Sequence, residues 1–299
     1  MPLPRAYLID SSIYIHRAWH TYDESITDSE GKSSNAVFGF SDFLFQILKQ
    51  KQPEYIACAF DASQTDSYRR KLYPQYKANR PSAPEKLKHQ FSQCRLFCKA
   101  VGIPEFSSNR YEADDIIGSL SSYFRAQGFA ITVVTADKDL TQLVLGEEDA
   151  WWDFARGTVL NRRRVEKQFG VKPEQIPDLL ALAGDKVDNI PGIPGVGYTT
   201  ASRILKKYPS IETVLENIKS IEDMKFRGAS RVQALLNAHQ SMLPLNKLLT
   251  TVVCDMHLQG HLEAAIENLI WQGVDHEAFE NLSKKLSLSS ALSQRWLNL

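Results

Sequence analysis

Residues 55–61 read YIACAFD, an apolar run that ends in a carboxylate. Two more apolar runs, at residues 6–9 and 130–135, are likewise followed closely by an aspartate. Short runs rich in β-branched and aromatic residues are typical of buried strands. We therefore expect three strands, at residues 6–9, 55–60 and 130–135.

Helical patterns lie between these runs, at residues 38–49, 86–101 and 113–127. Strands that alternate with helices indicate a mainly parallel central sheet flanked by helices, which is the α/β class. Ligands of such open sheets bind outside the carboxyl ends of the strands. The residues expected to emerge there are Asp10, Asp61 and Asp137.

The second part of the chain has a different pattern. After a predicted hairpin at residues 151–160, which turns at Arg156-Gly157, helices are interrupted by glycine and proline. We divide the chain into an α/β domain, residues 1–163, and a helical region, residues 164–299. Within the helical region, residues 184–197 predict a helix, glycine hairpin, helix element over about residues 178–207.

The C-terminal tail, from Gly260 onward, has amphipathic helical patterns. Leu282 with Leu286, and Leu292 with Trp296, are spaced four residues apart, as on one buried helix face. We expect this tail to pack on the body of the protein.

Composition limits the possible partners. The 299 residues include 35 basic and 35 acidic side chains, so affinity for nucleic acid must come from local clusters of Lys and Arg. No apolar run is long enough to span a membrane, and the N-terminal residues do not form a signal peptide, so we expect a cytoplasmic protein. Four cysteines without close pairing indicate reduced thiols, namely Cys58, Cys94, Cys98 and Cys254.

Acidic residues cluster in five segments of the chain. The nine carboxylates are Asp10, Asp61, Glu112, Asp114, Asp115, Asp137, Asp139, Asp185 and Asp188. So many carboxylates repel one another unless cations lie between them, and hard ions such as Mg²⁺ or Mn²⁺ prefer oxygen ligands. Two ions roughly 4 Å apart could activate a water and stabilise a leaving oxygen. Any one of these residues could instead be a helix cap or a surface residue.

Residues 68–80 carry five cationic side chains and three tyrosines but no acidic residue. Aromatic rings among cations suit a single strand of nucleic acid, because bases stack on the rings while the cations meet the phosphates. The alternative is a solvated helix face, on which acidic residues would be expected to alternate with basic ones.

The glycine hairpin could bind a duplex backbone. Gly192, Gly195 and Gly197 let backbone N–H groups approach a phosphate, and the next helix begins there. Arg203, Lys206 and Lys207 follow on that helix. The alternative is that the glycines only close a turn.

Four motifs carry a resemblance: YKANR at residues 76–80, EADD at 112–115, TADKD at 135–139, and the run 184–197. In this order they resemble the flap endonuclease family, specifically the 5′ nuclease domain at the front of bacterial family A DNA polymerases. The resemblance extends over most of the chain. It implies a PIN-like nuclease core, a helical arch at about residues 66–90, and a helix-three-turn-helix element that grips duplex DNA.

The resemblance also implies roles for individual residues. The first metal cluster is Asp10, Asp61, Glu112, Asp114, Asp115, Asp137 and Asp139. The second is Asp185 and Asp188, sharing Asp139. Lys77 and Arg80 bind and polarise the scissile phosphate. The passage for a 5′ single strand is lined by Arg69, Arg70 and Lys71, and Tyr76 is a further predicted DNA contact. The carbonyls that could hold K⁺ are those of Leu182, Ala183, Pro191, Ile193 and Val196.

Two positions depart from the family pattern. Asp10 is followed by Ser11-Ser12 where the family usually has glycine, and Lys186 lies between the second-site aspartates where a small residue is commoner. Neither change removes a carboxylate. The sequence has no polymerase portion, which fits a free-standing nuclease or an excised domain.

We therefore expect a monomeric nuclease with two Mg²⁺ or Mn²⁺ ions, which cuts DNA with a 5′ flap or a free 5′ end in replication and repair. One alternative is a branched-DNA binding protein that has lost catalysis, for which missing carboxylates would be expected. Another is an RNA-cutting nuclease, which would normally lack the glycine hairpin.

Overall fold

The structure is a computed structural model that describes residues 3–62, 67–257, 259–260, 262 and 265–299. Its centre is a six-stranded sheet in the order β3-β2-β1-β4-β5-β6. The strands are β1 (Arg5–Asp10), β2 (Tyr55–Asp61), β3 (Glu105–Ser108), β4 (Ala130–Val134), β5 (Ala150–Asp153) and β6 (Thr158–Leu160). Only the β5–β6 pair is antiparallel; the other four pairs are parallel. The α/β class and the mainly parallel sheet are confirmed.

Helices connect the strands and form the second half of the chain. The α-helices are α1 (Ser11–Thr21), α2 (Asn35–Lys51), α3 (Tyr68–Leu72), α4 (Glu85–Ala100), α5 (Ala113–Ala126), α6 (Arg162–Phe169), α7 (Ile176–Ala183), α8 (Tyr198–Lys207), α9 (Ile211–Glu216), α10 (Ala229–His239), α11 (Leu243–Thr250), α12 (His276–Lys285) and α13 (Ser290–Leu297). The helices predicted between the strands correspond to α2, α4 and α5.

Alternation along β2 explains how one strand contributes to two cores. Ala57 and Ala59 belong to one buried cluster, whereas Ile56, Cys58 and Phe60 belong to the other. Because successive side chains point to opposite faces, a strand buried on both faces reads as a continuous apolar run.

The two cores lie on opposite faces of the sheet. One contains Ile117 of α5 and continues into the helical region through Leu180 of α7 and Ile204 of α8. The other contains Phe40 of α2 and Phe97 of α4. The helical region is therefore joined to the sheet through a shared apolar core.

Two elements next to the sheet were not predicted. β3 has the sequence EFSS, which contains no apolar run. All four of its residues lie at the edge of the sheet and are only partly buried, so an apolar run is not required there. α1 begins directly after β1, with the side chain of Asp10 as its N-cap.

The C-terminal helices α12 and α13 pack as expected on the body. We grouped them with the helical region, but their contacts are with the α/β domain. Trp296 is fully buried, and its ring lies 5.6 Å from that of Phe45 and 5.2 Å from that of Phe97. These helices therefore cover the face formed by α2 and α4.

In the part of the chain that the structure describes, no helix is long and apolar enough to cross a membrane. The four cysteines are free thiols, and three of them are buried.

Replacing Trp296 with alanine tests the contribution of this C-terminal contact. Trp296→Ala should lower the free energy of unfolding by about 3–5 kcal/mol, because it removes a fully buried indole from an aromatic cluster. Leu299→Ala, at a side chain that is 43% exposed, is the control and should change it by less than about 0.5 kcal/mol. Urea unfolding measures both; equal losses would contradict this packing.

Candidate active site

Three aspartates meet at the carboxyl edge of the sheet, as predicted. Asp10 ends β1, Asp61 ends β2, and Asp137 follows β4. Thr135 links two of them, because its hydroxyl donates to Asp10 Oδ2 at 2.8 Å and accepts from the Asp137 N–H at 2.9 Å. Thr135 was included in a motif but not recognised as a site residue, since a lone threonine gives no chemical signal.

Ser12, one position beyond the serine that replaces the usual glycine, has a structural role. The Asp61 N–H donates to Ser12 Oγ at 3.0 Å, so α1 is tied to the end of β2. The Asp61 carboxylate in turn accepts from the Ala113 N–H at 2.9 Å, at the first residue of α5. Asp61 therefore fixes where the helix that carries the EADD motif begins.

Buried carboxylates raise one another's pKa here. Burial raises the pKa of Asp10 to about 7, and the negative charge of Asp61 adds to this shift. Burial, together with Asp137 and Asp10, raises the pKa of Asp114 well above its usual value. These shifts arise because negative charge is confined where water is scarce.

A second group of carboxylates lies beside the first. Burial raises the pKa of Asp139, and Asp137, Asp185 and Asp188 add to the shift. Asp185 is held by its own loop, since its Oδ1 accepts the N–H groups of Val187 at 2.6 Å and of Asp188 at 3.2 Å. Carboxylates from all five segments therefore converge on one region.

Lys77 and Arg80 lie against these carboxylates. The Lys77 ammonium is 3.1 Å from Glu112 Oε1 and 3.7 Å from Asp188 Oδ2, and the Arg80 guanidinium is 2.5 Å from Asp188 Oδ1. Burial alone would raise the pKa of Glu112, but Lys77 and Arg69 outweigh it and lower that pKa.

The turn that carries Lys77 is docked on the Asp185–Asp188 loop. Lys77 has φ of +53°, in the left-handed region, and its N–H donates to the Asp188 carbonyl at 2.9 Å. Asn79 donates to the Lys186 carbonyl at 2.9 Å. A strained backbone of this kind costs about 1–3 kcal/mol, so the surrounding contacts must hold it in place.

Two residues expected to contact DNA are buried instead. Arg69 is 2% exposed, and its guanidinium forms ion pairs with Asp115 and Glu112. Tyr76 is 2% exposed, and its hydroxyl lies 2.9 Å from both Glu112 Oε2 and Asp188 Oδ2, where its one proton can be donated to either carboxylate. Its ring therefore does not offer a stacking surface. Both predicted DNA contacts are corrected, because buried polar groups here satisfy each other.

Other cations of this segment do face outward. Lys71 is exposed and Arg70 is partly exposed. Their placement remains compatible with the predicted passage. The described part of the expected arch consists of α3, the turn at residues 73–80 and the start of α4.

Asp115 does not fit its predicted role as a metal ligand. It is fully buried, and both of its oxygens accept hydrogen bonds from Arg69, at 2.7 and 2.8 Å. The N–H groups of Val253 and Glu112 donate to it as well. We therefore remove Asp115 from the candidate ligand set.

The remaining carboxylates match a divalent cation in chemistry. In the described ranges, no group of three or more His, Cys, Asp or Glu side chains has the geometry to hold a metal ion as it stands. In this geometry the cations of Lys77 and Arg80 lie against Glu112 and Asp188. The donors are nevertheless all hard oxygens. The raised pKa values of Asp10, Asp114 and Asp139 indicate incompletely compensated negative charge that a divalent ion would stabilise.

The glycine hairpin lies between α7 and α8, beside the acidic loop. An open cleft of about 600 Å³ is lined by Tyr73 and by hairpin residues from Ala183 to Gly197, including Gly192, Gly195 and Gly197. Gly184 has φ of +77°, and its backbone crosses that of Gly192. Arg203, Lys206 and Lys207 are exposed on α8.

The hairpin carbonyls are partly engaged. The carbonyl of Leu182 accepts from the Ile193 N–H at 2.8 Å, and that of Ile193 accepts from the Val196 N–H at 3.0 Å. Asn246 of α11 donates to the carbonyls of Ala181 and Pro191. Asn246 was not predicted, because a single asparagine 55 and 65 residues away in sequence from these carbonyls gives no sign of the contact.

Two family models match consecutive parts of the chain. Residues 5–170 match the model described as 5′-3′ exonuclease, N-terminal resolvase-like domain. Residues 171–277 match the model described as 5′-3′ exonuclease, C-terminal SAM fold.

Similar proteins are known from bacteria. A 5′-3′ exonuclease of Aquifex aeolicus is 42% identical over 211 residues, which cover 71% of this chain and 72% of that protein. DNA polymerase I of Bacillus caldotenax is 34% identical over 96% of this chain but only 32% of the polymerase. The chain thus spans about a third of that polymerase's length.

Solved structures share the fold. A T5 5′-exonuclease with bound zinc has a TM-score of 0.69 at 16% identity, with 98% of each chain covered. The catalytic core of Rad2 in complex with a DNA substrate has a TM-score of 0.65 at 14% identity, covering 99% of this chain and 92% of that one. At these identities the likeness concerns the fold alone.

A methyl group on Gly192 tests the close crossing in the hairpin. The added Cβ of Gly192→Ala would lie 2.3 Å from backbone atoms of Ala183 and Gly184, so we expect a loss of about 1–3 kcal/mol in the free energy of unfolding. Gly197→Ala is the matched control, since nothing lies within 4 Å of its Cβ, and it should cost less than about 1 kcal/mol. Urea unfolding compares them, and an undisturbed Gly192→Ala would refute the crossing.

Proposed function

This chain belongs to the 5′-3′ exonuclease family, and from that premise we propose that it hydrolyses DNA phosphodiesters near a free 5′ end or at a 5′ flap. The observation that carries the proposal is the convergence of carboxylates from five segments beside two cations, Lys77 and Arg80. A role in DNA replication and repair accords with the relatives, which include DNA polymerase I.

The proposed cofactors are two Mg²⁺ or Mn²⁺ ions. The residues that would hold the first are Asp10, Asp61, Glu112, Asp114, Asp137 and Asp139. The residues that would hold the second are Asp139, Asp185 and Asp188. When bound, such ions lower the pKa of an attacking water and stabilise the leaving oxygen. The T5 5′-exonuclease, whose fold is similar, binds divalent metal ions.

Lys77 and Arg80 are the proposed catalytic residues. Both are held close to the carboxylates, Lys77 by its backbone bond to Asp188 and Arg80 by its ion pair with Asp188. In complex with DNA, they would donate to the oxygens of the scissile phosphate. Donors fixed in advance stabilise the negative charge that develops there in the transition state.

DNA would be bound on both sides of this centre. The hairpin residues Gly192, Gly195 and Gly197 and the exposed cations Arg203 and Lys206 would hold the duplex through its phosphates. Arg70 and Lys71 would meet the 5′ single strand. The carbonyls proposed to hold K⁺ are those of Leu182, Ala183, Pro191, Ile193 and Val196. We propose that the protein acts as a monomer.

A labelled flap duplex tests the proposed activity. The wild type should cut it near the junction with Mg²⁺ and leave it intact with a chelator. Asp137→Asn should cut at least about 100-fold more slowly, because a carboxylate proposed to hold the first metal ion is lost, while flap binding remains. Asp23→Asn, in an exposed loop, is the control and should cut normally. A wild type that binds the flap but never cuts it would favour a branched-DNA binding protein.

Two lysines of the same segment separate catalysis from binding. Lys77→Ala should lower the single-turnover rate at saturating enzyme by about 100- to 1,000-fold, since a preorganised phosphate donor is removed. Lys71→Ala removes an exposed cation and should instead weaken flap binding with little change in that rate. Rates and affinities are measured in parallel, and the same profile for both variants would refute the assignment of Lys77.

A further inference from the structure

Arg69 uses every donor of its guanidinium inside the protein. Its Nη1 and Nη2 form a two-pronged contact with Asp115 at 2.7 and 2.8 Å, and Nη1 also reaches Glu112 Oε2 at 3.3 Å. Nε donates to the Leu249 carbonyl and Nη2 to the Thr251 carbonyl, both at 2.9 Å. An arginine has five N–H donors, so none remains for a phosphate.

Asp115 is equally committed. Besides the two contacts from Arg69, it accepts the N–H of Val253 at 2.9 Å and that of Glu112 at 3.1 Å. Its side chain is completely buried. A group in this position orients its neighbours, because moving it would leave several buried polar atoms without partners.

The Arg69–Asp115 pair joins three parts of the molecule. Arg69 belongs to α3, and Asp115 lies in the first turn of α5, next to Glu112. The carbonyls of Leu249 and Thr251 lie at the end of α11. The pair therefore connects the arch segment, the acidic helix and the helical region.

Each end of this connection leads to a proposed functional group. Glu112, held by Arg69 on Oε2, presents Oε1 to the ammonium of Lys77 at 3.1 Å. At the other end, Asn246 of α11 donates to the Ala181 carbonyl of α7 and to the Pro191 carbonyl of the hairpin. A shift of Arg69 would thus reach the proposed catalytic lysine through Glu112.

We propose that Arg69 is a positioning residue for phosphodiester cleavage, which acts through Asp115 and Glu112 rather than by touching DNA or metal. The proposal rests on the proposed nuclease function. Only a planar guanidinium can meet Asp115 with two parallel bonds while also donating to two carbonyls, so lysine would replace it poorly. A displacement of about 1 Å in a catalytic group is enough to lower a rate about 100-fold.

The matched control is a second, partly buried ion pair on the same helix. Arg125, near the other end of α5, donates to Asp149 at 2.8 Å, and the Asp149 side chain is 3% exposed. Arg125→Gln therefore breaks a comparable pair at a distance from the carboxylates. Loss of the Arg125–Asp149 ion pair should lower the melting temperature without changing the rate of cleavage.

The experiment compares Arg69→Gln, Arg69→Lys, Asp115→Asn and Arg125→Gln. Each variant is measured for its melting temperature, its flap affinity in chelator, and its single-turnover rate at saturating enzyme. We expect all four to melt earlier and to bind the flap nearly as well as the wild type. Arg69→Gln and Asp115→Asn should cut at least about tenfold more slowly, Arg69→Lys should be intermediate, and Arg125→Gln should cut normally.

The double variant of Arg69→Gln with Asp115→Asn distinguishes one shared role from two separate ones. If the pair acts as a unit, the double variant cuts no more slowly than the slower single variant. Losses that multiply would overturn the proposal and return Asp115 to the metal ligands. Should Arg69→Gln fail to fold, Asp115→Asn carries the test alone, and a normal rate in it overturns the proposal.

Two other outcomes also decide the matter. Weaker flap binding at a normal rate in Arg69→Gln would make Arg69 a DNA contact and overturn the proposal. A wild type that does not cut the flap would contradict the nuclease function itself. If the wild type cuts the flap, and Arg69→Gln and Asp115→Asn cut it as fast as Arg125→Gln does, only the proposed role of Arg69 is overturned.

Discussion

Repulsion between buried carboxylates is the constraint on which the rest of this structure depends. The parallel sheet brings the carboxyl ends of β1, β2 and β4 to one edge, and each end delivers an aspartate there. Burial and mutual repulsion raise the pKa values of Asp10, Asp114 and Asp139. Such an arrangement costs free energy in folding, so it is stable only where cations or hydrogen-bond donors lie between the carboxylates.

The surrounding elements supply those donors from distant parts of the chain. The turn at residues 73–80 brings Lys77 and Arg80 to Glu112 and Asp188, and α3 brings Arg69 to Asp115. Each contact connects a turn or a helix to the acidic centre. The segment proposed to bind the phosphate and the acidic loop proposed to hold metal are consequently parts of one hydrogen-bonded unit, so their relative positions are set before any ligand arrives.

Regular patterns in the sequence predicted much of this. Continuous apolar runs predicted the three central strands, since a strand buried on both faces has no alternation. The motifs at residues 76–80, 112–115, 135–139 and 184–197 predicted the clustered carboxylates and the two cations beside them. The sequence missed β3 and α1, because a partly buried edge strand and a helix that follows its strand without a loop have no distinct pattern. The predicted DNA contacts of Arg69 and Tyr76 were also wrong. A run of cationic and aromatic residues has the same sequence pattern whether its side chains face solvent or buried carboxylates.

The sequence by itself determined the fold class, the family and which residue types gather at the strand ends, because these depend on local periodicity and on motifs within a few residues. Only the tertiary structure decided which of those residues already have hydrogen-bond or ion-pair partners within the protein. Asp115 and Asp137 are both aspartates beside apolar positions, yet Asp115 meets Arg69 and the Val253 N–H from far along the chain, whereas a raised pKa marks Asp137 as incompletely compensated. Partners separated by 46 and 138 residues are brought together by packing, which no local pattern encodes.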